Sequence, residues 1–381
     1  MKPRYGLFVL ILCCVSGLLN AQVSAKKLKN EGDGYFKYSK YHEALNMFLK
    51  YQRLKKEDLD VRYKIGLCYY FTNEVEEAKK YLQYVLDNNK KADPKTYYYL
   101  GRVYHSEYDF ESAIKYYKQY LKETKATNLD RRSVKDAIRR CAMGLRLAYR
   151  DEIALVENLG DEVNTRGDDF APVPSPNFNN KLYFSSSREG NIGGLRDNKG
   201  LRNEKYGDFS TDIYSTVVIN GRWTATTPMS SLINSPRNDV ALDFSMNGGV
   251  MYYYKGPNLA EGEILVDTFA NGNEDNLIPV AFNGPVDGAR RENDLYFFND
   301  TTLLFSSRMP GGYGGDDLYL TTLRDGNWTE PENLGPMINS AYDEKTPFLA
   351  IDGRTLYFSS NNRQSIGGLD MFPTPVAYHH T

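Results

Sequence analysis

The strongest constraint on the fold is a stretch in the second half of the chain that recurs about every 50 residues. Its clearest copies, Leu303–Tyr319 and Leu356–Phe372, join an apolar run ending in Phe-Ser-Ser to a glycine-containing turn and then Asp-Leu-Tyr or Asp-Met-Phe. Further copies begin at Leu182 and, more weakly, at Met251. The second half of the unit starts at Asp212, Glu263, Asp317 and Asp370. Short strands and glycine turns at this period are typical of β-propeller blades, so four blade motifs are predicted.

Turn chemistry supports hairpins inside these units. Asn220–Gly221 and Asp325–Gly326 each follow an apolar run, and such dipeptides favour the type I′ turn that matches strand twist. Trp223 and Trp328 occupy one repeated position shortly after these turns. We therefore interpret both tryptophans as packing residues in or between blades.

Composition divides the chain of 381 residues into two parts. Lysine, tyrosine and leucine dominate before residue 150, whereas glycine, asparagine and aspartate are concentrated after residue 160. This shift predicts a multidomain protein, α-helical first and all-β afterwards. The formal net charge is −2, which gives no reason to expect a nucleic-acid partner.

The helical part contains a second repeat, of about 34 residues. Its repeated positions are Gly32, Gly66 and Gly101; Ala44, Ala78 and Ala113; and Phe48, Leu82 and Tyr117. Small residues that let two helices cross closely, with a large residue filling the gap, form the tetratricopeptide (TPR) pattern. The pattern predicts a solenoid of three repeats over residues 25–125, then a capping helix and linker over residues 126–152.

A solenoid of this type offers a concave groove lined by the first helix of each repeat. The repeat places five residues on that face: Tyr63, Tyr70, Tyr98, Arg102 and His105. Tyrosines with a few cations suit an extended peptide or a partner helix. Packing of these tyrosines between repeats is the alternative, because the chain has 31 tyrosines.

The chain begins with the features of an exported protein. Residues 1–21 combine Lys2 and Arg4 with an apolar stretch that is short for a membrane span, which predicts a signal peptide and a mature chain without a transmembrane segment. The expected location is the periplasm, in possible association with the outer membrane. Acylation at Cys13 or Cys14 would instead make the protein a lipoprotein, although no small residue precedes either cysteine. The remaining cysteines, at 68 and 141, lack metal-site spacing and are expected to be buried free thiols.

The first blade is preceded by a partial copy of the repeat. Glu157–Gly160 repeats the Glu-Asn-Leu-Gly sequence of Glu332–Gly335, which lies where one blade leads into the next. We expect residues 153–159 to form a strand that pairs with the last blade near Asp370 and so closes the ring. A truncated longer protein is the alternative, because residues 373–381 match nothing in the repeat. The propeller is then predicted over residues 153–375, followed by a tail over residues 376–381.

Catalysis is not expected. The four histidines, at 42, 105, 379 and 380, lie outside the propeller repeat, which argues against a Ser-His-acid triad or a histidine-based zinc site within it. Asp169, Asp239 and Asp343 recur at what we take to be one blade position, which indicates structural hydrogen bonding. A glycosidase-like pair among the many carboxylates remains an alternative. No catalytic, cofactor-binding or metal-binding residue is therefore predicted.

One loop departs from the repeat. The first copy carries a longer insertion between Phe184 and Asp212 than the later copies, and it contains Arg196, Lys199 and Arg202. Extra loop length on a rigid repeat scaffold is often used for recognition, so these three cations are candidate partner-binding residues. A solvated loop without a role is the alternative.

The Leu-Tyr-Phe-Ser-Ser and Gly-Gly-x-Asp motifs, with the Gly/Tyr/Ala solenoid pattern, resemble the Bacteroidota envelope proteins that join TPR repeats to a WD40-like (PD40) propeller. The propeller also looks like that of TolB. The resemblance covers nearly all of the chain beyond the signal peptide, and it is to the N-terminal part of PorE-type proteins of the OmpA family. It implies a protein-binding scaffold in a type IX-like secretion or envelope-maintenance complex, with envelope proteins or peptides as partners. The OmpA-like domain of that family is absent, so peptidoglycan binding by this chain is not implied. A glycan-binding or glycan-cleaving propeller is the alternative function.

Overall fold

The computed structural model describes residues 25–124, 127–147, 156–270, 273–274, 279–292 and 294–375. The chain divides into two compact units, Met1–Arg150 and Asp151–Thr381. The predicted signal peptide, the two cysteines within it and the tail over residues 376–381 lie outside the described residues.

The first unit is helical throughout its described elements. The helices are α1 (25–37), α2 (Tyr41–Leu54), α3 (Leu59–Phe71), α4 (Val75–Asn88), α5 (Lys95–Ser106), α6 (Phe110–Glu123) and α7 (Asn128–Leu147). Asp58 and Asp109 begin α3 and α6, and each accepts the backbone N–H three residues later at 3.1 Å. These caps satisfy N–H groups that a helix cannot bond internally. Consecutive helices pack against one another along the series.

The repeated glycines lie where paired helices cross. A Cβ added at Gly32 would stand 2.5 Å from the Phe48 ring, and one at Gly101 would stand 2.6 Å from the Tyr117 ring. The same clash would arise between Gly66 and Leu82, at 2.9 Å. The three repeated alanines are fully buried at the same crossings. The predicted TPR arrangement is confirmed, and its cause is the close approach that these small residues permit.

The second unit contains twenty strands in its described residues. They are β1 (Asp169–Pro174), β2 (Lys181–Ser186), β3 (Gly194–Arg196), β4 (Asp208–Phe209), β5 (Asp212–Ile219), β6 (Arg222–Trp223), β7 (Thr227–Pro228), β8 (Asn238–Phe244), β9 (Val250–Gly256), β10 (Glu263–Ala270), β11 (Asn273–Glu274), β12 (Val280–Ala281), β13 (Leu295–Asn299), β14 (Thr302–Ser307), β15 (Asp317–Arg324), β16 (Asn327–Trp328), β17 (Glu332–Asn333), β18 (Glu344–Leu349), β19 (Thr355–Ser360) and β20 (Asp370–Pro375).

These strands form four antiparallel blades. Blade I contains β1, β2, β5 and β7; blade II contains β8, β9, β10 and β12; blade III contains β13, β14, β15 and β17; blade IV contains β18, β19 and β20. The third strands start at the four acidic residues that the repeat identified, and their register on the second strands is the same in blades I, III and IV. The predicted α-solenoid and propeller fold class is therefore confirmed, with a four-blade arrangement.

The predicted turns and tryptophans also lie where expected. Asn220 and Asp325 have positive φ, as do the glycines that follow them, and each dipeptide closes a two-residue hairpin. Trp328 lies 6.3 Å from Phe282 of the neighbouring blade, ring to ring, in the core between blades II and III. Apolar cores of the same kind lie between blades I and II and between blades III and IV.

The structure differs from two predictions about the propeller, one of which it tests only in part because residues 153–155 lie outside the described residues. The described part of the proposed closing strand, residues 156–159, forms no strand and is exposed, and no described residue other than those of β19 pairs with β20. The repeated acidic position is Asp169, Asp239 and Glu344 rather than Asp343, because these three carboxylates accept the N–H and hydroxyl of Thr165, Ser235 and Ser340. The repeated position of the last blade therefore lies one residue further along the chain than predicted.

Both cysteines of the described helical unit are buried free thiols, as predicted. Burial raises the pKa of the Cys68 and Cys141 thiols to about 12, so both stay protonated near neutral pH. None of the described helices is long and apolar enough to cross a membrane.

Candidate functional site

Two neighbouring first helices, α3 and α5, carry the predicted groove residues and contact each other. Tyr98, Arg102 and His105 are spaced by four and three residues on α5, so they share one face of that helix. Tyr63 and Tyr70 are seven residues apart on α3, which also places them on one face. The solenoid therefore brings together side chains that are far apart in sequence.

Arg102 is the centre of this face. Its Nη1 donates a hydrogen bond to the Tyr98 hydroxyl at 3.2 Å, and its guanidinium carbon lies 5.7 Å from the centroid of the Tyr70 ring. The side chain is nevertheless exposed. Arg102 is thus held in position by two tyrosines from different repeats, although the residue remains exposed.

His105 joins the same group through Tyr117 of α6. The His105 Nδ1 is 3.3 Å from the Tyr117 hydroxyl, and the Tyr98 and Tyr117 rings are 6.2 Å apart. We call Tyr70, Tyr98, Arg102, His105 and Tyr117 the Arg102 cluster. Four of the five predicted groove residues belong to it.

Tyr63 lies apart from this cluster. It is half-buried and packs against the apolar core formed by α3, α4 and α5. Burial raises the pKa of Tyr63, and the charge of Asp93 acts in the same direction. The packing alternative therefore describes Tyr63, and Tyr70 and Tyr98 also pack against apolar cores while they contact Arg102.

Tyr70 and Tyr117 of the cluster remain neutral phenols near neutral pH. Burial raises the pKa of Tyr70, although the nearby Arg102 opposes the shift, and burial also raises the pKa of Tyr117. A neutral phenol donates one hydrogen bond and accepts others. The cluster therefore offers one fixed positive charge among hydroxyl groups of limited mobility.

The sequence prediction missed an aromatic surface beside the cluster. Phe71 is 42% exposed, stacks on Tyr41 at 4.3 Å and lies 5.8 Å from Tyr99. Tyr99 also contacts the Tyr70 and Tyr98 rings. Phe71 directly follows Tyr70 in sequence, and Tyr99 directly follows Tyr98. Each therefore lies about 100° further round its helix, so a pattern that follows one face of the helix omits it. The sequence signal for this surface is a pair of adjacent aromatic residues on the first helix of each of two successive repeats.

The charges of the solenoid differ between its repeats. Lys29 forms ion pairs with Asp58 and Asp60, and Lys64 does so with Asp33 and Asp60. Arg102 has no acidic side chain within ion-pair distance among the described residues. Because its positive charge is not neutralised by a described carboxylate, it is the groove cation best placed to attract an acidic ligand.

The basic insertion of blade I forms a small structure of its own. β3 and β4 pair, and Asp197 accepts the backbone N–H groups of Lys199 and Leu201, which holds the turn together. Arg196, Lys199 and Arg202 are all exposed. Arg196 donates to the Gly200 carbonyl oxygen, and Arg202 pairs with the exposed Glu204. The three predicted cations thus share one solvated loop.

Another arginine of the insertion has a different role. Arg188 is an internal part of blade I: it pairs with Asp169 at 2.9 Å, donates to the Val163 carbonyl oxygen and lies over the Tyr214 ring at 4.4 Å. This side chain joins the entry segment of the blade to its sheet, so it does not belong to the exposed loop charges.

The recurring carboxylates of the propeller are engaged in structural bonds. Asp212, Asp317 and Asp370 accept backbone N–H groups from the preceding turns, from Ile192, Tyr313 and Ile366 respectively. Asp212 and Asp239 are almost fully buried. A carboxylate buried to this degree is not accessible to a glycan, which applies to Asp212 and Asp239. Within the described residues, no group of His, Cys, Asp and Glu side chains is arranged to hold a metal ion.

Comparisons with known proteins relate the two units to different groups. A tetratricopeptide repeat family model matches residues 60–92. Among curated proteins, none is significantly similar to this chain. Similar solved structures include the first TPR domain of Spaghetti (RPAP3) bound to the HSP90 peptide SRMEEVD, with 20% identity, 32% of this chain and 96% of that chain covered, and a TM-score of 0.28.

Solved structures similar to the propeller unit include two TolB proteins. TolB from Acinetobacter baumannii has 14% identity, with 52% of this chain and 39% of that chain covered and a TM-score of 0.31. The putative TolB from Agrobacterium tumefaciens has 14% identity, with 55% and 83% covered and a TM-score of 0.32. By its own elements, the chain combines a TPR-like solenoid with a four-blade β-propeller arrangement.

Proposed function

We propose that this protein is a non-catalytic protein–protein assembly factor whose solenoid binds an extended peptide across α3 and α5. The observation that carries this proposal is the Arg102 cluster, where an exposed guanidinium lies between hydroxyl groups beside an exposed aromatic surface. Arginine with its donor fork and aromatic rings with polar tips are the side chains that dominate protein interfaces. A peptide that carries a carboxylate next to an apolar residue fits both features.

We further propose that the protein acts in the bacterial cell envelope, as a periplasmic component that associates with the outer membrane through its partners. The basic and apolar composition of residues 1–21 supports export, and the PD40-type motifs support a role in a secretion or envelope-maintenance complex. Fusion of alkaline phosphatase after residue 25, with and without residues 1–21, tests export. Equal phosphatase activity in both fusions would reject it.

Partner binding is tested by affinity capture from envelope extract, followed by binding measurements with a peptide of the captured protein. Tyr98→Ala and Arg102→Ala should each weaken binding by about 1–3 kcal/mol, because each removes a central interface anchor. Arg139→Ala is the matched control, since Arg139 is an exposed arginine that lies outside α3 and α5 and pairs with Asp136 of its own helix, α7. If the control variant weakened binding as much as the two cluster variants, the peptide would not bind at this face.

In the same experiment, we expect the basic loop of blade I to affect the rate of association. Changing Arg196, Lys199 and Arg202 to glutamate should slow association and reduce its dependence on salt, because exposed charges act mainly by steering. The dissociation rate should remain close to that of the unmodified protein. A faster dissociation rate would instead place the loop in direct contact with the partner.

A further inference from the structure

The segment that precedes blade I repeats the segment that completes blade III. Residues 157–164 align with residues 332–339 without a gap: both begin Glu-Asn-Leu-Gly, and both end in a branched apolar residue followed by asparagine. In blade III, the Leu334 N–H donates to the Leu318 carbonyl oxygen at 3.1 Å. The Asn339 side chain then accepts the Leu318 N–H at 2.8 Å and donates to the Leu318 carbonyl oxygen at 2.9 Å. This segment therefore satisfies both backbone groups of one residue on the edge of β15.

Blade I is completed in the same way. Asn234 accepts the Ile213 N–H at 2.8 Å and donates to the Ile213 carbonyl oxygen at 3.0 Å, and the Met229 N–H reaches that oxygen at 2.9 Å. The asparagine is thus a repeated device for holding the edge of a third strand. We call it the asparagine clamp, formed by Asn234 and Asn339.

Residues 157–164 already have the internal geometry of a clamp segment. Asn158 accepts the Gly160 N–H at 2.7 Å and the Asn164 amide at 2.8 Å. The corresponding bonds of Asn333, to Gly335 and Asn339, are 2.9 and 2.8 Å long. The turn that presents the clamp is therefore formed before any strand edge is bound.

Only the second half of this segment is packed. Val163 is buried against Phe184 and Tyr214 of blade I, as Ile338 is packed against blade IV. Residues 156–162 are exposed, and Val156 is 91% exposed. Burial of Val163 fixes the direction of the segment, while residues 156–162 lie at the surface and Asn164 is half-buried.

The matching edge is β20 of blade IV. Met371 has the register of Leu318 and Ile213, because each pairs with the first serine of the Ser-Ser dipeptide on the second strand. Its backbone N–H and carbonyl oxygen therefore point away from β19, and its residue is 74% exposed. Pro373 and Pro375 have no N–H, which discourages addition of an arbitrary strand to this edge. A clamp segment needs only the two backbone groups of Met371.

We propose that residues 157–164 of one copy bind the β20 edge of a second copy. Asn164 would clamp the Met371 backbone, and the Leu159 N–H would donate to the Met371 carbonyl oxygen. Within one copy, the blades contact in series from I to IV, and the hydrogen bonds of residues 157–164 lead to blade I and within the segment. The clamp and its matching edge thus lie at opposite ends of the series, and their contact is head-to-tail.

The test is the concentration dependence of molecular mass, measured by light scattering on the full chain and on two variants. Asn164→Ala removes the clamp, and Met371→Pro removes the N–H that it holds. Each variant alone should lose self-association by about tenfold or more, as expected when a backbone bond loses its partner. Mixing the two should restore a dimer, because the first variant keeps the edge and the second keeps the clamp.

A synthetic peptide of residues 156–166 provides the second measurement. It should bind the full chain and reduce its self-association, whereas the same peptide with Asn164→Ala should do neither. Met371→Pro should abolish peptide binding, and an unchanged far-ultraviolet spectrum would show that this variant remains folded.

Several results would overturn the proposal. A chain that stays monomeric at all concentrations, with Asn164→Ala lowering its melting temperature, would show that the clamp closes within one copy or that other residues of the chain cover β20. Self-association that survives both variants would place the interface between copies elsewhere. Failure of the mixture to form a dimer would also reject the head-to-tail contact.

Discussion

The two units hold their repeated elements together by opposite means. In the solenoid, the repeated junction residues are small or apolar, and Gly32 faces Phe48 as Gly101 faces Tyr117. In the propeller, several repeated junction residues are buried and polar, such as Asn234 and Asn339. The difference follows from backbone chemistry, because a helix bonds its own N–H and carbonyl groups whereas the edge of a short sheet does not. Solenoid junctions can therefore rely on shape, while blade junctions also require polar side chains that complete the hydrogen bonds.

Loss of a clamp should have the largest effect on stability. Asn339→Ala leaves the N–H and carbonyl groups of the buried Leu318 without their side-chain partner, which should reduce the free energy of unfolding of the propeller by about 2–4 kcal/mol. Denaturant unfolding monitored by tryptophan fluorescence measures the change. Asn327→Ala, in an exposed turn, is the matched control. If both variants lost equal stability, the polar junction would not be essential.

Overpacking a helix crossing should reduce stability less than the loss of a clamp does. A second substitution should then restore part of the lost stability. Gly32→Leu forces a side chain into the Phe48 ring, with an expected net loss of about 1–2 kcal/mol after the gain in helix propensity is subtracted. Phe48→Leu in the same chain should recover part of this loss by restoring space. Thermal unfolding followed by helical circular dichroism gives both values. Strictly additive losses in the double variant would contradict a junction based on shape.

Acidification should change the melting temperatures of the two units differently, and we expect this effect to be the smallest of the three. Burial raises the pKa of Asp212 and of Asp243 to about 6, so their stabilising protonated forms are present at low pH and are lost as the pH rises through about 6. The melting temperature of the propeller should therefore increase between about pH 7 and about pH 5.

The helical unit should change little over that range. Burial acts to raise the pKa of Asp58, but hydrogen bonds from Tyr51 and Lys29 outweigh it and lower the pKa, so its contribution is lost only below the ordinary aspartate range. Calorimetry of the two transitions measures both effects, and Asp243→Asn is the control that should flatten the propeller response. A propeller transition that weakens on mild acidification would contradict this assignment.

Much of the candidate site could be predicted from the sequence. The TPR spacing placed Tyr70, Tyr98, Arg102 and His105 on one surface, because helical periodicity and a fixed repeat length determine which residues face the groove. The same reasoning could not separate Tyr63, which packs into the core, from its neighbours. That distinction depends on how closely α4 and α5 approach α3, which a periodic pattern does not contain.

The sequence by itself determined the two repeat lengths, the glycines at helix crossings, the type I′ hairpins and the starts of the four third strands. These features depend on local backbone preferences and on periodicity, both of which act over a few neighbouring residues. Only the tertiary structure decided that Arg188 is internal, that Lys29 and Lys64 are paired with acids while Arg102 stays exposed, and that residues 156–159 do not pair with β20. Each of these outcomes depends on groups that are distant in sequence, whose approach is set by the packing of whole helices and blades.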